Sequence, residues 1–229
     1  MLQRVLEPEV MDSLEEAQDY DSMDHAEVNR RFVDHLLECR SSSELESGRP
    51  VLVLDVGTGT AQIPIELAGR GVAVRITAID LAAEMLKLGQ INVERAGLTD
   101  RIALELVDAK SLPYADGCFD WVISNSIIHH IPKPLFSLGE MLRVLAPGGL
   151  LFVRDLLRPV DLPTLIDLVQ TYAGTANAHQ RQMFDDSLHA ALSLDEIQEM
   201  LTTLGYPPSW VSQTTDRHWT IRGRKRQRS

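Results

Sequence analysis

Glycines and acidic residues follow the apolar runs of this sequence at positions where they could bind a small polar ligand. Asp55 lies inside the first run, VLVLDV, which leads into a turn that contains Gly57 and Gly59. Asp80 ends the second run, and Asp108 follows the third. Glycine lets a backbone turn tightly and approach a ligand, and an acid after the second strand can accept hydrogen bonds from a ribose diol. The pattern therefore indicates a crevice for a ligand that contains a ribose.

Two adjacent histidines, His129 and His130, follow the fourth apolar run, FDWVISN. A neutral imidazole can take a proton from an attacking hydroxyl, thiol or amine, so either residue is a candidate general base. Because adjacent side chains diverge, only one of the two is expected to face a ligand. The alternative is structural, with one histidine hydrogen-bonded to the loop backbone and the other at the surface.

The elements that must position these residues alternate in type from Val51 onwards. Short β-rich runs are separated by helical segments such as 82–96 and 134–145, and a Pro147-Gly148-Gly149 turn precedes the fifth run, LLFVRDL. Repeated β-α units predict a parallel sheet with helices on both faces. The carboxyl ends of parallel strands share one edge of the sheet, which is where such folds bind their ligands.

The segments outside this core are predicted from composition and helical spacing. Residues 1–50 form a helical arm that ends in a linker, SSSELESGRP, and residues 51–229 form the main domain. An insert at 159–192 contains two helical stretches. Together with the arm, it is expected to form a lid over the crevice and the pocket for a second substrate.

The last 37 residues predict a capped helix and a hairpin. Ser193 lies three residues before Glu196, which is the spacing of a capping box, and WVSQTT and HWTIRG read as two strands joined by a tight turn. The basic tail RGRKRQRS is expected to be a solvated, frayed end.

Composition excludes several classes of protein. The chain has 229 residues and a formal net charge of −11, which disfavours nucleic acid as a partner. Cys39 and Cys118 match no zinc or disulfide spacing, and no stretch of about 18 apolar residues predicts a membrane span. We expect a soluble cytoplasmic protein that does not bind membranes, and the sequence leaves its oligomeric state open.

The glycine turn, the strand-end acids and the hairpin together resemble the class I methyltransferases that use S-adenosylmethionine, particularly those of ubiquinone and menaquinone biosynthesis. The resemblance covers about 51–156, and the helix and hairpin after Ser193 also fit it. It implies an α/β Rossmann-like fold with a seven-stranded, mostly parallel sheet that ends in an antiparallel hairpin. Ala61 stands where the family usually has a third glycine, and its methyl group is expected to narrow the space beside the cofactor.

The resemblance also implies where the cofactor binds. The glycine turn would wrap the methionine part, Asp80 would hold the ribose and Asp108 would meet the adenine amine. Leu81 and Met85 would flank the adenosine, although core packing explains Met85 nearly as well. Tyr20, Asp21 and Met23 in the arm would close over the cofactor, although a helix boundary with one anchoring aromatic explains these residues equally well. The full set of expected cofactor-binding residues is Tyr20, Met23, Asp55, Gly57, Thr58, Gly59, Thr60, Asp80, Leu81, Met85, Asp108, Ala109 and Asn125.

The function implied is transfer of a methyl group from S-adenosylmethionine to a small-molecule acceptor, with S-adenosylhomocysteine as the product. The attacking atom, whether O, N, S or C, stays open. A nicotinamide-dependent oxidoreductase and a non-catalytic S-adenosylmethionine-binding protein are the alternatives. No metal is expected, because the histidine pair and Asp155 lack the carboxylate-rich pattern of metal-dependent catechol-type enzymes.

Overall fold

The computed structural model describes residues 2–7, 13–23, 25–41 and 48–226. Most of the predicted linker, residues 42–47, and the end of the basic tail, residues 227–229, lie outside these ranges. Seven strands form one sheet in the order β3-β2-β1-β4-β5-β7-β6. Their bounds are β1 Val51–Val56, β2 Val74–Asp80, β3 Ile102–Leu106, β4 Phe119–Asn125, β5 Leu145–Leu156, β6 Val211–Gln213 and β7 His218–Arg224.

Eight α-helices occur in the described part of the chain. Two precede the sheet, three connect its strands, and three lie between β5 and β6. They are α1 Leu14–Ser22, α2 Ala26–Glu38, α3 Gln62–Gly69, α4 Ala83–Arg95, α5 Pro134–Val144, α6 Leu162–Ala173, α7 Ala178–Ala190 and α8 Leu194–Thr203.

Strand pairing confirms the predicted fold class. β1 pairs in parallel with β2 and with β4, β2 pairs in parallel with β3, and β6 and β7 pair antiparallel. All residues of β1 except Leu52 are buried, which explains why this strand reads as a continuous apolar run. The register sets Asp55 beside Ala78 and Ile123, so its side chain stands near the carboxyl end of β1.

The chain divides into two compact units. The first, which we call the glycine-turn unit, comprises Phe136–Val153 and the described residues of 10–125 and 222–229. Its core includes Trp121, Phe32 and Phe152, and the last two rings meet edge to face with centroids 5.0 Å apart. Edge-to-face pairs of this kind add about 0.5–1.5 kcal/mol beyond the area that they bury.

The second unit, which we call the histidine unit, comprises Ser126–Leu135, Arg154–Ile221 and the described residues of 1–9. Its apolar cluster consists mainly of leucines from β5, α6 and α7. α8 begins at the predicted capping box: the Ser193 hydroxyl accepts the Glu196 N–H, and the Glu196 carboxylate accepts the Ser193 N–H. The buried members of the cluster are Leu156, Leu165, Leu168, Leu188 and Ala191.

The helical arm contains α1 in addition to α2. Two local expectations need correction. β5 begins at Leu145 and includes the predicted turn, within which Gly148 has a φ of 81°. The basic tail is not frayed over 222–226, because the Lys225 ammonium donates to the carbonyls of Leu142 and Leu145 at 2.6 and 2.8 Å. Carbonyls at a helix end lack intrahelical partners, and a cation satisfies them.

Two further observations concern the predicted surroundings of the protein. Cys39 and Cys118 are both free thiols. Among the residues that the structure describes, no helix combines the length and apolar character needed to cross a bilayer.

Candidate active site

The turn after β1 has the tight left-handed backbone that its glycines predict. Gly57 and Gly59 have φ angles of 74° and 55°, and Ala61 also has a positive φ, at 63°. The N–H groups of Gly57 and Thr58 both donate to the Ile79 carbonyl, at 2.8 and 2.9 Å. The glycine turn is therefore fixed against the end of β2, where Asp80 lies.

Asp80 connects the two strand ends. One carboxylate oxygen accepts the Gly59 N–H at 2.7 Å, and the other accepts the Ala82 N–H at 2.9 Å. The second bond spans two residues, as in an Asx turn, and leads into α4, whose N-cap is Ala82, whereas the first reaches the glycine turn. A carboxylate offers about four acceptor positions, so Asp80 can accept several hydrogen bonds at once.

Buried polar atoms without hydrogen-bond partners line the same turn. Within the described chain, Asp55 Oδ2, Thr58 Oγ1 and Thr60 Oγ1 have no such partner, although each is fully buried. Burial raises the pKa of Asp55 to about 7, and the negative charge of Asp80 adds to this effect. The Thr58 hydroxyl near the carboxylate acts in the opposite direction and lowers the pKa. Buried polar groups are normally satisfied, so these three atoms fit a ligand that supplies donors.

The other strand-end residues lie at the surface of the unit. Asp108 Oδ1 accepts the Lys110 N–H at 2.8 Å and pairs with the Lys110 ammonium at 3.0 Å. Partial burial acts to raise the pKa of Asp108, but the two Lys110 groups lower it by more. Leu81 is 37% exposed, and Ala109 and Asn125 are half-buried. These residues can reach a ligand without a change in the core.

Helix α1 lies against the glycine turn. An ideal Cβ built on Gly59 would stand 3.6 Å from the edge of the Tyr20 ring. Asp21 Oδ1 accepts the side-chain amides of Gln62 and Asn92 at 3.2 and 3.0 Å. Burial raises the pKa of Tyr20 to about 12, and the carboxylates of Asp80, Asp55 and Asp21 contribute. The arm thus brings an aromatic ring and a carboxylate to the turn.

Met23 is half-buried at the end of α1, where its N–H donates to the Tyr20 carbonyl at 3.2 Å. Met85 is 6% exposed and packs with Ala17 and Ala82. Its place in this apolar cluster favours the core-packing alternative that the sequence left open.

The methyl group of Ala61 lies in the core. Ala61 is fully buried, and its Cβ would stand 3.4 Å from a Cβ built on Gly89 in α4. The same hypothetical Cβ would lie 3.3 Å from the carbonyl carbon of Thr60. Gly89 therefore allows α4 to approach the glycine turn closely, and Ala61 fills the contact from the other side.

The histidine unit brings its two candidate bases together with carboxylates. His129 Nδ1 lies 2.5 Å from Asp155 Oδ1, and its Nε2 lies 3.4 Å from Glu7 Oε1. His130 Nδ1 lies 3.1 Å from the same Glu7 oxygen, and the two rings are 4.2 Å apart. His129 is 2% exposed, so it is not a surface residue.

Charge and burial act in opposite directions on this cluster. Burial lowers the pKa of His129, but the carboxylates of Asp155 and Glu7 raise it by more. Burial acts to raise the pKa of Asp155, and the hydrogen-bonded His129 lowers it below its ordinary value. Burial raises the pKa of Glu7 despite the nearby His129. Asp155 is therefore the ionised partner that orients the His129 ring.

Comparison with known proteins identifies the family. A family model described as a methyltransferase domain matches residues 49–206, which is more than half of the chain. The chain belongs to the class I S-adenosylmethionine-dependent methyltransferases. The matched range contains the glycine turn, all the strand-end acids and the histidine pair.

Two curated methyltransferases are among the similar sequences. The 27-O-demethylrifamycin SV methyltransferase of Amycolatopsis mediterranei is 32% identical over 73% of this chain and 59% of its own length. The ubiquinone/menaquinone biosynthesis C-methyltransferase of a Geobacter strain is 32% identical over 67% of this chain and 69% of its own. The chain thus spans less than two thirds of the first protein.

Solved structures show the same fold at low sequence identity. A methyltransferase from Aquifex aeolicus, described as dependent on S-adenosylmethionine, aligns with a TM-score of 0.64 and 18% identity. The alignment covers 93% of this chain and 98% of the other. The methyltransferase domain model that matches residues 49–206 removes support for the nicotinamide alternative.

The methyltransferase cofactor is S-adenosylmethionine, and the residues present fit it. Asp55, Thr58 and Thr60 offer buried polar atoms, and the Asp80 carboxylate lies beside the same turn. Sequence reasoning named Asp21 as an arm residue that closes over the cofactor, but it missed Asn92, Gly89 and Glu7. Only Gly89 carried a signal, since a glycine inside a helix often marks a close backbone contact.

Proposed function

We propose that this methyltransferase transfers the methyl group of S-adenosylmethionine to a small-molecule acceptor. The observation that carries the proposal is the set of buried, unsatisfied polar atoms on Asp55, Thr58 and Thr60 beside the glycine turn. A cofactor with an ammonium group and a ribose supplies the donors that these atoms lack. When bound, it supplies a methyl group that is already activated by a positively charged sulfur.

The residues of the glycine-turn unit have distinct roles in this proposal. Asp55 accepts a hydrogen bond from the cofactor ammonium, Asp80 accepts from the ribose hydroxyls, and Asp108 accepts from the adenine amine. The glycine turn allows the backbone to approach the methionine part. Positioning and exclusion of water then account for much of the rate, because methyl transfer is an in-line displacement with a good leaving group.

The small-molecule acceptor is supported by the two curated relatives. Their names specify an O-methylation and a C-methylation, so relatives of this chain differ in the attacking atom. The net charge of −11 disfavours a nucleic acid as the acceptor. The two free thiols support a reducing, cytoplasmic location.

We propose the arm as a lid over the cofactor. The Tyr20 ring beside Gly59 and the bonds from Asp21 to Gln62 and Asn92 support closure over the glycine turn. The helices inserted at 159–192 are proposed as the acceptor-side lid. If both segments act as lids, amide exchange should slow in 14–22 and 160–190 when S-adenosylhomocysteine binds. Slower exchange confined to the glycine turn would exclude the lids.

One of His129 and His130 is proposed as the general base when the acceptor needs deprotonation. His129 is 2% exposed, whereas 18% of the His130 side chain is exposed, so His130 is the more accessible of the two to an acceptor. Replacing the base with Ala should lower the single-turnover rate by about 10²–10⁴ while cofactor affinity stays within a few-fold. Equal, modest effects in both variants would leave positioning as the mechanism.

The central experiment separates binding from turnover. Calorimetry with S-adenosylmethionine, S-adenosylhomocysteine and NAD⁺ identifies the cofactor, and we expect no binding of NAD⁺. Release of S-adenosylhomocysteine is then measured with phenols, quinols, amines, thiols and activated methylenes. Cofactor binding without release for any acceptor class would favour the non-catalytic alternative. Asp80→Asn should weaken cofactor binding about 10–150-fold, and Asp100→Asn, an exposed acid, is the control.

A further inference from the structure

We propose that Glu7, His129 and His130 form a binding site for a divalent transition-metal cation, with Zn²⁺ as its simplest occupant. One ligand atom from each residue lies within 4.8 Å of the others. This site belongs to the histidine unit alone, and it does not depend on the proposed methyl transfer.

The spacing of the three side chains fits a metal better than it fits hydrogen bonds. Zn²⁺ holds imidazole nitrogens at about 2.0–2.1 Å and carboxylate oxygens at about 2.0–2.2 Å, so neighbouring ligands of a tetrahedral ion lie about 3.3 Å apart. Glu7 Oε1 lies 3.4 Å from His129 Nε2 and 3.1 Å from His130 Nδ1. Charge-assisted N–H···O⁻ bonds are shorter, at about 2.7–2.9 Å.

Glu7 provides a second, independent observation. Its Oε1 is buried and has no hydrogen-bond partner within the described chain. Its other oxygen accepts the Ser187 hydroxyl at 3.3 Å, which orients the carboxylate with Oε1 toward the two rings. A buried carboxylate oxygen without a donor is costly, and a cation would satisfy it.

Asp155 prepares His129 as a metal ligand. Its Oδ1 receives the His129 Nδ1 contact, and its Oδ2 accepts the N–H groups of Ile128 and His129 at 2.5 and 3.2 Å. An ionised carboxylate only accepts hydrogen bonds, so the ring proton lies on Nδ1 and Nε2 faces Glu7. Histidines that bind metals commonly donate their second ring nitrogen to a carboxylate in this way.

The local charge is compatible with a cation. Glu7 and Asp155 supply two negative charges beside the rings. The Arg4 guanidinium is a nearby positive group, and it donates to the carbonyls of Ala190, His129 and Ile131 at 2.7, 3.0 and 3.2 Å. Two imidazoles and one carboxylate favour Zn²⁺, Co²⁺, Ni²⁺ or Fe²⁺ over Mg²⁺ and Ca²⁺, which prefer oxygen ligands.

Three protein ligands leave a coordination position for water or another small ligand, as in catalytic rather than structural zinc sites. A bound cation would also occupy the imidazole lone pairs that a general base needs. A histidine that binds the cation through its unprotonated ring nitrogen cannot also accept a proton there. The general-base proposal therefore applies to the cation-free protein.

The test is cation binding by the full chain without a histidine tag. Protein treated with EDTA is titrated with Co²⁺, whose visible absorption reports a low-coordinate nitrogen and oxygen site, and Zn²⁺ affinity is measured by competition with a chelator. We expect one equivalent to bind. Glu7→Gln and His130→Asn should each weaken binding more than 100-fold, and Asp155→Asn, which removes only the orienting partner, about 10–100-fold.

Matched controls keep the result specific. Glu199→Gln and His179→Asn change exposed residues of α8 and α7 and should leave the affinity unchanged. Circular dichroism and NMR spectra of Glu7→Gln establish that the variant is folded. No stoichiometric binding, or binding that persists in both Glu7→Gln and His130→Asn, would overturn the site and leave the cluster as a hydrogen-bonded ion-pair network.

Discussion

The Gly59 N–H donates to Asp80 Oδ2 across 2.7 Å, so the glycine turn and the second strand end form one bonded unit. The two residues are 21 positions apart in the chain. Asp80 therefore helps to fix the turn, and in the proposed function the same carboxylate accepts hydrogen bonds from the ribose. A substitution at Asp80 should affect the cofactor through both effects.

Asp80→Asn and Asp80→Ala should weaken binding of S-adenosylhomocysteine. Each removes charge-assisted hydrogen bonds worth about 1.5–3 kcal/mol, which corresponds to about 10–150-fold in affinity. Calorimetry measures the loss of affinity, and Asp100→Asn is the control variant. Unchanged affinity in both Asp80 variants would disprove the ribose assignment.

Asp55 should make the stability of the unliganded protein fall as pH rises. Its pKa is raised from 3.8 to about 7, so the folded protein keeps a proton that the unfolded chain releases above about pH 4. The free energy of unfolding should therefore decrease between about pH 4 and pH 7, by at most about 4 kcal/mol, and the loss should be complete above pH 7. Urea unfolding at pH 5 and pH 8 measures the decrease in the free energy of unfolding.

Asp55→Asn is the matched variant for this titration. It cannot ionise, so its free energy of unfolding should change less between pH 5 and pH 8 than that of the wild type. It should also bind S-adenosylhomocysteine more weakly, because the acceptor for the ammonium loses its charge. A wild type and variant with the same pH dependence would show that Asp55 is not the titrating group.

Two alanine substitutions of helical glycines should differ in their effects: one should stabilise its helix, and the other should weaken cofactor binding. A Cβ on Gly69 would meet nothing within 4 Å, so Gly69→Ala should stabilise α3 by about 0.5–1 kcal/mol. A Cβ on Gly89 would contact Thr60 and Ala61 at 3.3 and 3.4 Å. Gly89→Ala should displace the glycine turn and weaken cofactor binding several-fold. Thermal unfolding and calorimetry on both variants test the contrast; equal cofactor affinity in the two would refute it.

Asp21→Ala should release the arm. The variant loses the bonds to Gln62 and Asn92, so the amides of α1 should exchange at least 10-fold faster and S-adenosylhomocysteine should dissociate faster. Hydrogen exchange by mass spectrometry and stopped-flow dissociation measure the two effects. Glu15→Ala changes an exposed residue of the same helix and is the control. If the amides of α1 exchange at the same rate in Asp21→Ala as in this control, the Asp21 hydrogen bonds do not hold the arm in place.

Local patterns in the sequence determined most of the fold. Alternation of β-rich runs and helical segments predicted the parallel sheet, because each strand or helix carries its own periodicity. The Ser193–Glu196 capping box and the glycine turn were also predictable, since their hydrogen bonds and φ angles involve residues that are close in the chain. The strand-end acids followed from the same reasoning, because parallel strands share one carboxyl edge.

Contacts between distant segments were decided only by the tertiary structure. Asp21 meets Asn92 across 71 positions, and Glu7 reaches His129 across more than 120. No periodicity or spacing rule connects such residues, because their approach depends on how whole helices and loops pack. The left-handed φ of Ala61 has the same origin. Its packing against α4 holds Ala61 in a conformation that alanine alone disfavours.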